Sequence, residues 1–228
     1  MPELAQPDGV YVLQLGGDEN LFTLEWIQQV HAHLDAVAGS PAPLVTTAAG
    51  KFYSNGLDLE WVLSHGNELP GYVARVQELL ARVLTLPVPT AAAISGHAFG
   101  AGAMLAMAHD WRLMRGDRGY VCFPEVDIKI PFTTGMAALI QAKLTPASAI
   151  LAMTTGQRFD AAAAVAAGLA DGACSEADLL ATTIARVKPL AGKDAATLAA
   201  IKETMFAATV DKLRARTAPA RAREAENS

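Results

Sequence analysis

The chain has 228 residues, 52% of them hydrophobic, enough apolar material for one full core. Eighteen Lys and Arg against 23 Asp and Glu leave a formal charge of −5, which argues against a nucleic-acid platform with its basic stripe. Cys122 and Cys174, far apart in apolar surroundings, read as buried thiols of a reducing compartment, not as a disulfide or a metal site.

Residues 10–15, Val-Tyr-Val-Leu-Gln-Leu, form a first predicted strand, ended by Gly16-Gly17. Thr23 is placed to cap a helix running to about Val37, with Leu24, Ile27, Val30 and Leu34 on one face. A short apolar strand, residues 44–48, leads into a first glycine turn. A helix over 71–86 is stopped by Pro87 and Pro89, and a buried strand over 90–94 leads into a second turn. Residues 100–108 read as a small-residue helix. Strands over 111–114 and 119–122, helices over 134–143 and 147–154, and an Ala-rich helix ending at Gly168 follow. From Glu176 onward the chain reads as helical, and the charged end near Glu226 is expected to fray. Repeated strand, turn and helix units indicate an α/β fold with mainly parallel strands.

Three segments carry chemistry. The first turn holds Ser54-Asn55-Gly56-Leu57, and the second holds Gly96-His97-Ala98-Phe99-Gly100-Ala101-Gly102. Small residues let such turns present backbone N–H groups to a ligand, and two turns together suit a developing oxyanion. The third segment is Phe123-Pro124-Glu125, whose carboxylate has apolar neighbours that would raise its pKa and fit it for moving a proton.

With these motifs in order, and with further matches over 131–139 and 154–171, the chain resembles the crotonase superfamily, also called the enoyl-CoA hydratase/isomerase family. The resemblance spans about residues 8 to 175 and is nearest to Δ3,Δ2-enoyl-CoA isomerases of the peroxisomal plant type. It implies a crotonase (ClpP/crotonase) spiral of ββα units over 1–175. Helices over 176–228 would then serve oligomerisation and substrate covering. It implies an oxyanion hole from the N–H groups of Leu57 and Ala101, with Glu125 as catalytic base. It also implies an acyl-CoA thioester substrate, no metal, no cofactor beyond the CoA of the substrate, and a homotrimer or a dimer of trimers.

Hydratases of this family carry a second glutamate at the fourth residue after Gly100. Here that residue is Met104, which cannot ionise and forms an apolar wall suited to double-bond migration. The implied activity is therefore conversion of 3-enoyl-CoA to trans-2-enoyl-CoA in β-oxidation, Glu125 carrying the proton from C2 to C4. Asn55, Gly56, Gly100, Met104 and Phe132 are expected to shape the substrate site. Lys51, with Lys202 or Lys212, would meet the CoA phosphates, and Phe206 would form a wall.

Rival readings are weak hydration or decarboxylation from the same enolate, and an acyl-CoA-binding protein without catalysis. A hydrolase built on Ser54, His97 and Asp58 is a further alternative, though Ser54 lacks the Gly-x-Ser-x-Gly elbow. No apolar run is long enough to span a bilayer, so no membrane association is expected. Met1 to Asp8 lacks the parts of a secretory signal, and Glu226-Asn227-Ser228 is not a peroxisomal address of the Ser-Lys-Leu type. The expected compartment is the cytoplasm.

Overall fold

A computed structural model describes residues 1–215, so the charged end near Glu226 lies outside the described residues. The chain opens with β1 (Glu3–Ala5) and β2 (Tyr11–Gln14), an antiparallel pair. Helix α1 (Leu24–Gly39) begins where the Thr23 side chain accepts a hydrogen bond from Trp26 N, satisfying one of the free N–H groups of the first turn.

Three repeated units then wind through two sheets. The first contributes β3 (Leu44–Thr47), β4 (Phe52–Ser54), α2 (Leu59–Ser64) and α3 (Leu69–Leu84). The second contributes β5 (Thr90–Ile94), β6 (His97–Phe99) and α4 (Ala101–Ala108). The third contributes β7 (Trp111–Arg115), β8 (Val121–Cys122) and the one-turn α5 (Glu125–Ile128). Each unit gives its first strand to a six-stranded sheet of order β1-β2-β3-β5-β7-β9 and its second to a small sheet of order β4-β6-β8. Within the large sheet every pair but β1–β2 is parallel. The short strands β4 and β6 occupy stretches expected to be turns.

The chain continues through α6 (Thr134–Lys143), α7 (Pro146–Thr155), α8 (Ala161–Ala166), β9 (Gly172–Cys174), α9 (Glu176–Val187) and α10 (Ala195–Arg214). Strand β5 is buried on both faces. Ala92 and Ile94 enter the main core, while Ala91 and Ala93 meet Val45, Leu179 and Val187 in a second core beneath α9. Helix α3 presents Val76, Leu79, Leu80 and Val83 to the main core at three- and four-residue spacing. Burying each of these side chains contributes about 1.5–3 kcal/mol before ordering costs. Among the described residues no helix is long and apolar enough to cross a membrane.

Helix α10 packs on α3 and α6 and is anchored by an ion pair. Lys202 is buried, and its Nζ donates to Asp110 Oδ2 at 2.7 Å and to Val88 O at 2.8 Å. That commitment takes Lys202 away from any phosphate. Lys212 is exposed near the end of the same helix.

Candidate active site

The winding places three chain segments together, because the strands of the small sheet run parallel and end on one side. Beyond β4 comes Asn55-Gly56-Leu57, beyond β6 comes Gly100-Ala101, and beyond β8 comes Phe123-Pro124-Glu125. These segments border a cleft of about 370 Å³, lined in part by Asn55, Leu57, Gly100, Ala101, Met104 and Glu125. Phe132 adds an aromatic wall after α5.

The first turn leaves one donor free. Asn55 N donates to Glu19 O at 2.8 Å, Gly56 N to Ser54 Oγ at 3.1 Å, and Asp58 N to Tyr72 Oη at 3.0 Å. Between them, the Leu57 N–H makes no hydrogen bond among the described residues. Ala101 is the first residue of α4, so its N–H has no intrahelical acceptor, and no other described residue accepts it. Both free N–H groups belong to cleft-lining residues, and the α4 dipole adds positive character at Ala101.

The turns are in contact at Gly56, whose φ is +82°. A Cβ there would fall 2.8 Å from Phe99 O and 2.9 Å from Ala101 N, so both the backbone angle and the space require glycine.

Glu125 is 9% exposed, and its Oε2 is buried without a hydrogen-bond partner among the described residues. A Cβ on Gly100 would lie 3.6 Å from Oε1, which puts the carboxyl beside the second turn. Burial pushes its pKa up to about 7, against a smaller opposing effect of its backbone hydrogen bond. Met104 is also buried, on α4, and lines the same cleft. Glu19 and Glu60 reach the edge of the cleft but are exposed. Asp58 accepts Trp61 N and caps α2.

Besides Lys202, two expected residues lie elsewhere. Lys51 sits over the Phe52 ring, 5.1 Å from its centroid, and is not part of the cleft lining. Phe206 lines a separate cavity with Trp111 and Lys143, and the Lys143 Nζ lies 5.3 Å from its ring centroid. It takes no part in this chain's own cleft. The hydrolase triad is not assembled: Ser54 is fully buried and its Oγ donates to Asn20 O at 2.8 Å. The His97 ring packs among Phe52, Phe99 and Tyr120, and its Nδ1 is buried without a hydrogen-bond partner among the described residues. Cys122 and Cys174 are free thiols. Among the described residues no group of three or more His, Cys, Asp or Glu side chains is placed to hold a metal ion.

Sequence reasoning missed the hydrogen-bonded partners of the first turn, Asn20 and Tyr72. Nothing in the residue types marks a link across the fold.

A spiral of ββα units with two free N–H groups and a buried carboxyl at one cleft defines a crotonase-type protein. Residues 6–226 match the family model described as enoyl-CoA hydratase/isomerase, and the chain belongs to that family. It is 34% identical to peroxisomal enoyl-CoA delta isomerase 1 of Arabidopsis thaliana, over 78% of this chain and 76% of the relative. It is 35% identical to enoyl-CoA delta isomerase 3 of the same plant, over 77% and 78% of the two chains. Human mitochondrial delta3-delta2-enoyl-CoA isomerase shares the fold, with a TM-score of 0.83 at 23% identity over 93% of this chain and 85% of that one.

Proposed function

We propose that the protein converts 3-enoyl-CoA esters to trans-2-enoyl-CoA, with a single glutamate moving the proton. The observation that carries this reading is the cleft's asymmetry, with the buried carboxyl of Glu125 at one position and Met104 where a second carboxylate would enter. The names of the Arabidopsis relatives support the same reaction class.

In this reading the thioester oxygen lies between the N–H groups of Leu57 and Ala101. Ionised Glu125 removes a proton from C2, and the electron pair spreads over C2, C4 and the thioester oxygen as a dienolate. The two N–H groups stabilise the oxygen's negative charge in a site with little water, where such donors act strongly. Protonated Glu125 then delivers its proton to C4, leaving the double bond between C2 and C3. A pKa of about 7 suits both steps, because the group must accept and release a proton near neutrality.

The apolar side chains of Val126, Ile128 and Ile130 are exposed beside the cleft, and Ile150 and Leu151 are exposed on α7. They support association of copies, which we take to be a trimer, single or stacked in pairs. The free thiols support a reducing compartment, which we take to be the cytoplasm, whereas the name of Arabidopsis isomerase 1 assigns it to peroxisomes. Residues 1–175 would then form the catalytic core, and 176–228 would serve association and substrate covering.

A Glu125→Gln variant tests the reading. The amide keeps the shape but cannot take the proton, so turnover of trans-3-hexenoyl-CoA should fall by at least about 1,000-fold while hexanoyl-CoA still binds. Retained turnover would reject Glu125 as the base. Hydrolysis lost in Ser54→Ala but kept in Glu125→Gln would favour the hydrolase.

A further inference from the structure

We infer that the hydroxyls of Ser54 and Tyr72 are positioning groups that aim the Leu57 N–H, each holding one of the two peptide groups beside it. The inference rests on the oxyanion-hole role proposed above for Leu57.

The two hydroxyls are wired alike. Ser54 Oγ accepts Gly56 N at 3.1 Å and donates to Asn20 O at 2.8 Å. Tyr72 Oη accepts Asp58 N at 3.0 Å and donates to Phe22 O at 2.9 Å. A hydroxyl is suited to this task because it accepts from an N–H and donates to a carbonyl at once. The 55–56 and 57–58 peptide groups, which flank the one bearing the Leu57 N–H, are therefore tied through side chains to one segment, Asn20 to Phe22. The backbone adds Phe22 N to Gly56 O at 2.8 Å.

That segment is itself fixed. Asn20 is buried with φ +49°, a left-handed conformation that Asn tolerates better than most residues. Its Nδ2 donates to Phe52 O and Tyr53 O, both at 3.1 Å, so it grips the strand leading into the turn. Ser54 also meets the second turn, since a Cβ on Gly102 would lie 2.2 Å from Ser54 O and 2.8 Å from Ser54 Cβ. One buried serine thus touches both halves of the hole. The hydroxyls satisfy the Gly56 and Asp58 N–H groups and so hold the free N–H of Leu57 between two fixed neighbours. Holding its direction gives them a function.

Ser54→Ala and Tyr72→Phe each remove one oxygen and add no volume. The ring retained in Tyr72→Phe would keep the packing on Trp61, whose centroid is 5.0 Å from that of Tyr72. Each variant, and the pair together, is tested with trans-3-hexenoyl-CoA. Affinity is measured for hexanoyl-CoA and for its hexyl thioether, which lacks the carbonyl oxygen. Each single variant is expected to lose about 5- to 30-fold in kcat, with the pH limb unmoved, because the donor is misaimed while Glu125 is untouched. Thioester affinity should fall towards that of the thioether, whose own affinity stays constant.

Wild-type kcat and an undiminished preference for the thioester in both variants would overturn the inference. Equal loss of thioester and thioether binding would also overturn it, as the mark of a purely structural role. If Ser54→Ala fails to fold, Tyr72→Phe decides by the same readings. If the wild-type protein leaves trans-3-hexenoyl-CoA unchanged, the isomerase reading fails, and the thioester and thioether affinities still decide whether these hydroxyls aim the N–H.

Discussion

Gly56 and Ala101 touch across the two turns: a Cβ on Gly56 would sit 2.9 Å from the Ala101 nitrogen. The spacing of the two free N–H groups is therefore set by a backbone contact that only glycine permits. Gly56→Ala must push the turns apart and hold φ near +82°, where a Cβ is strained. The variant should lose about 100-fold or more in kcat and about 1–3 kcal/mol of stability. Steady-state kinetics and thermal unfolding measure the two losses.

Glu125 links activity to pH. Its carboxyl must be ionised to take the C2 proton, so kcat/KM should rise with pH through an apparent pKa of about 7 and level off above it. A pH profile with its acid limb near 4.5 would mean that the working carboxyl is solvated.

The same group makes folding pH-dependent in the opposite sense. Its folded pKa of about 7 lies above the ordinary value of 4.5, so the folded state holds the proton longer than the unfolded state. Stability is full below about 4.5 and falls as pH rises towards 7. Glu125→Gln should therefore be more stable than wild type at about pH 8, by about 1–3 kcal/mol, with the gain shrinking towards about pH 4.5. Unfolding at the two pH values checks this.

Met104 should decide between migration and hydration. Met104→Glu would put a second carboxyl into the cleft, where two like charges favour one remaining protonated. Hydration of crotonyl-CoA should rise by about 10-fold or more while isomerisation falls. Both are read from one pair of assays.

Much of this site was legible because its parts are backbone turns with distinctive residues. Gly56, Gly100 and Pro124 announce themselves in any reading, and Glu125 stands out among apolar neighbours. The strands β4 and β6 were missed because three residues are too short to show an alternating pattern, and their neighbouring glycines read as turn. The clamps were missed for a different reason. Ser54 and Tyr72 are ordinary polar residues whose partners lie 34 and 50 positions away, a pairing that only the folded chain displays. Lys202 was expected to meet a CoA phosphate, and its burial against Asp110 depends on where α10 docks.

That docking gives a prediction remote from the chemistry. Asp110 Oδ2 accepts both Lys202 Nζ at 2.7 Å and Thr90 N at 2.8 Å. Asp110→Asn leaves a buried ammonium without its counter-charge and should cost about 3 kcal/mol. The effect should show up in denaturant unfolding, with kcat/KM of the folded enzyme little changed.

The most direct measurement compares two substrates with the wild-type protein: conversion of trans-3-hexenoyl-CoA to its 2-enoyl isomer, and hydration of crotonyl-CoA. One buried carboxyl facing an apolar wall predicts fast isomerisation and little hydration. Hydration matching or exceeding isomerisation would contradict a one-glutamate site.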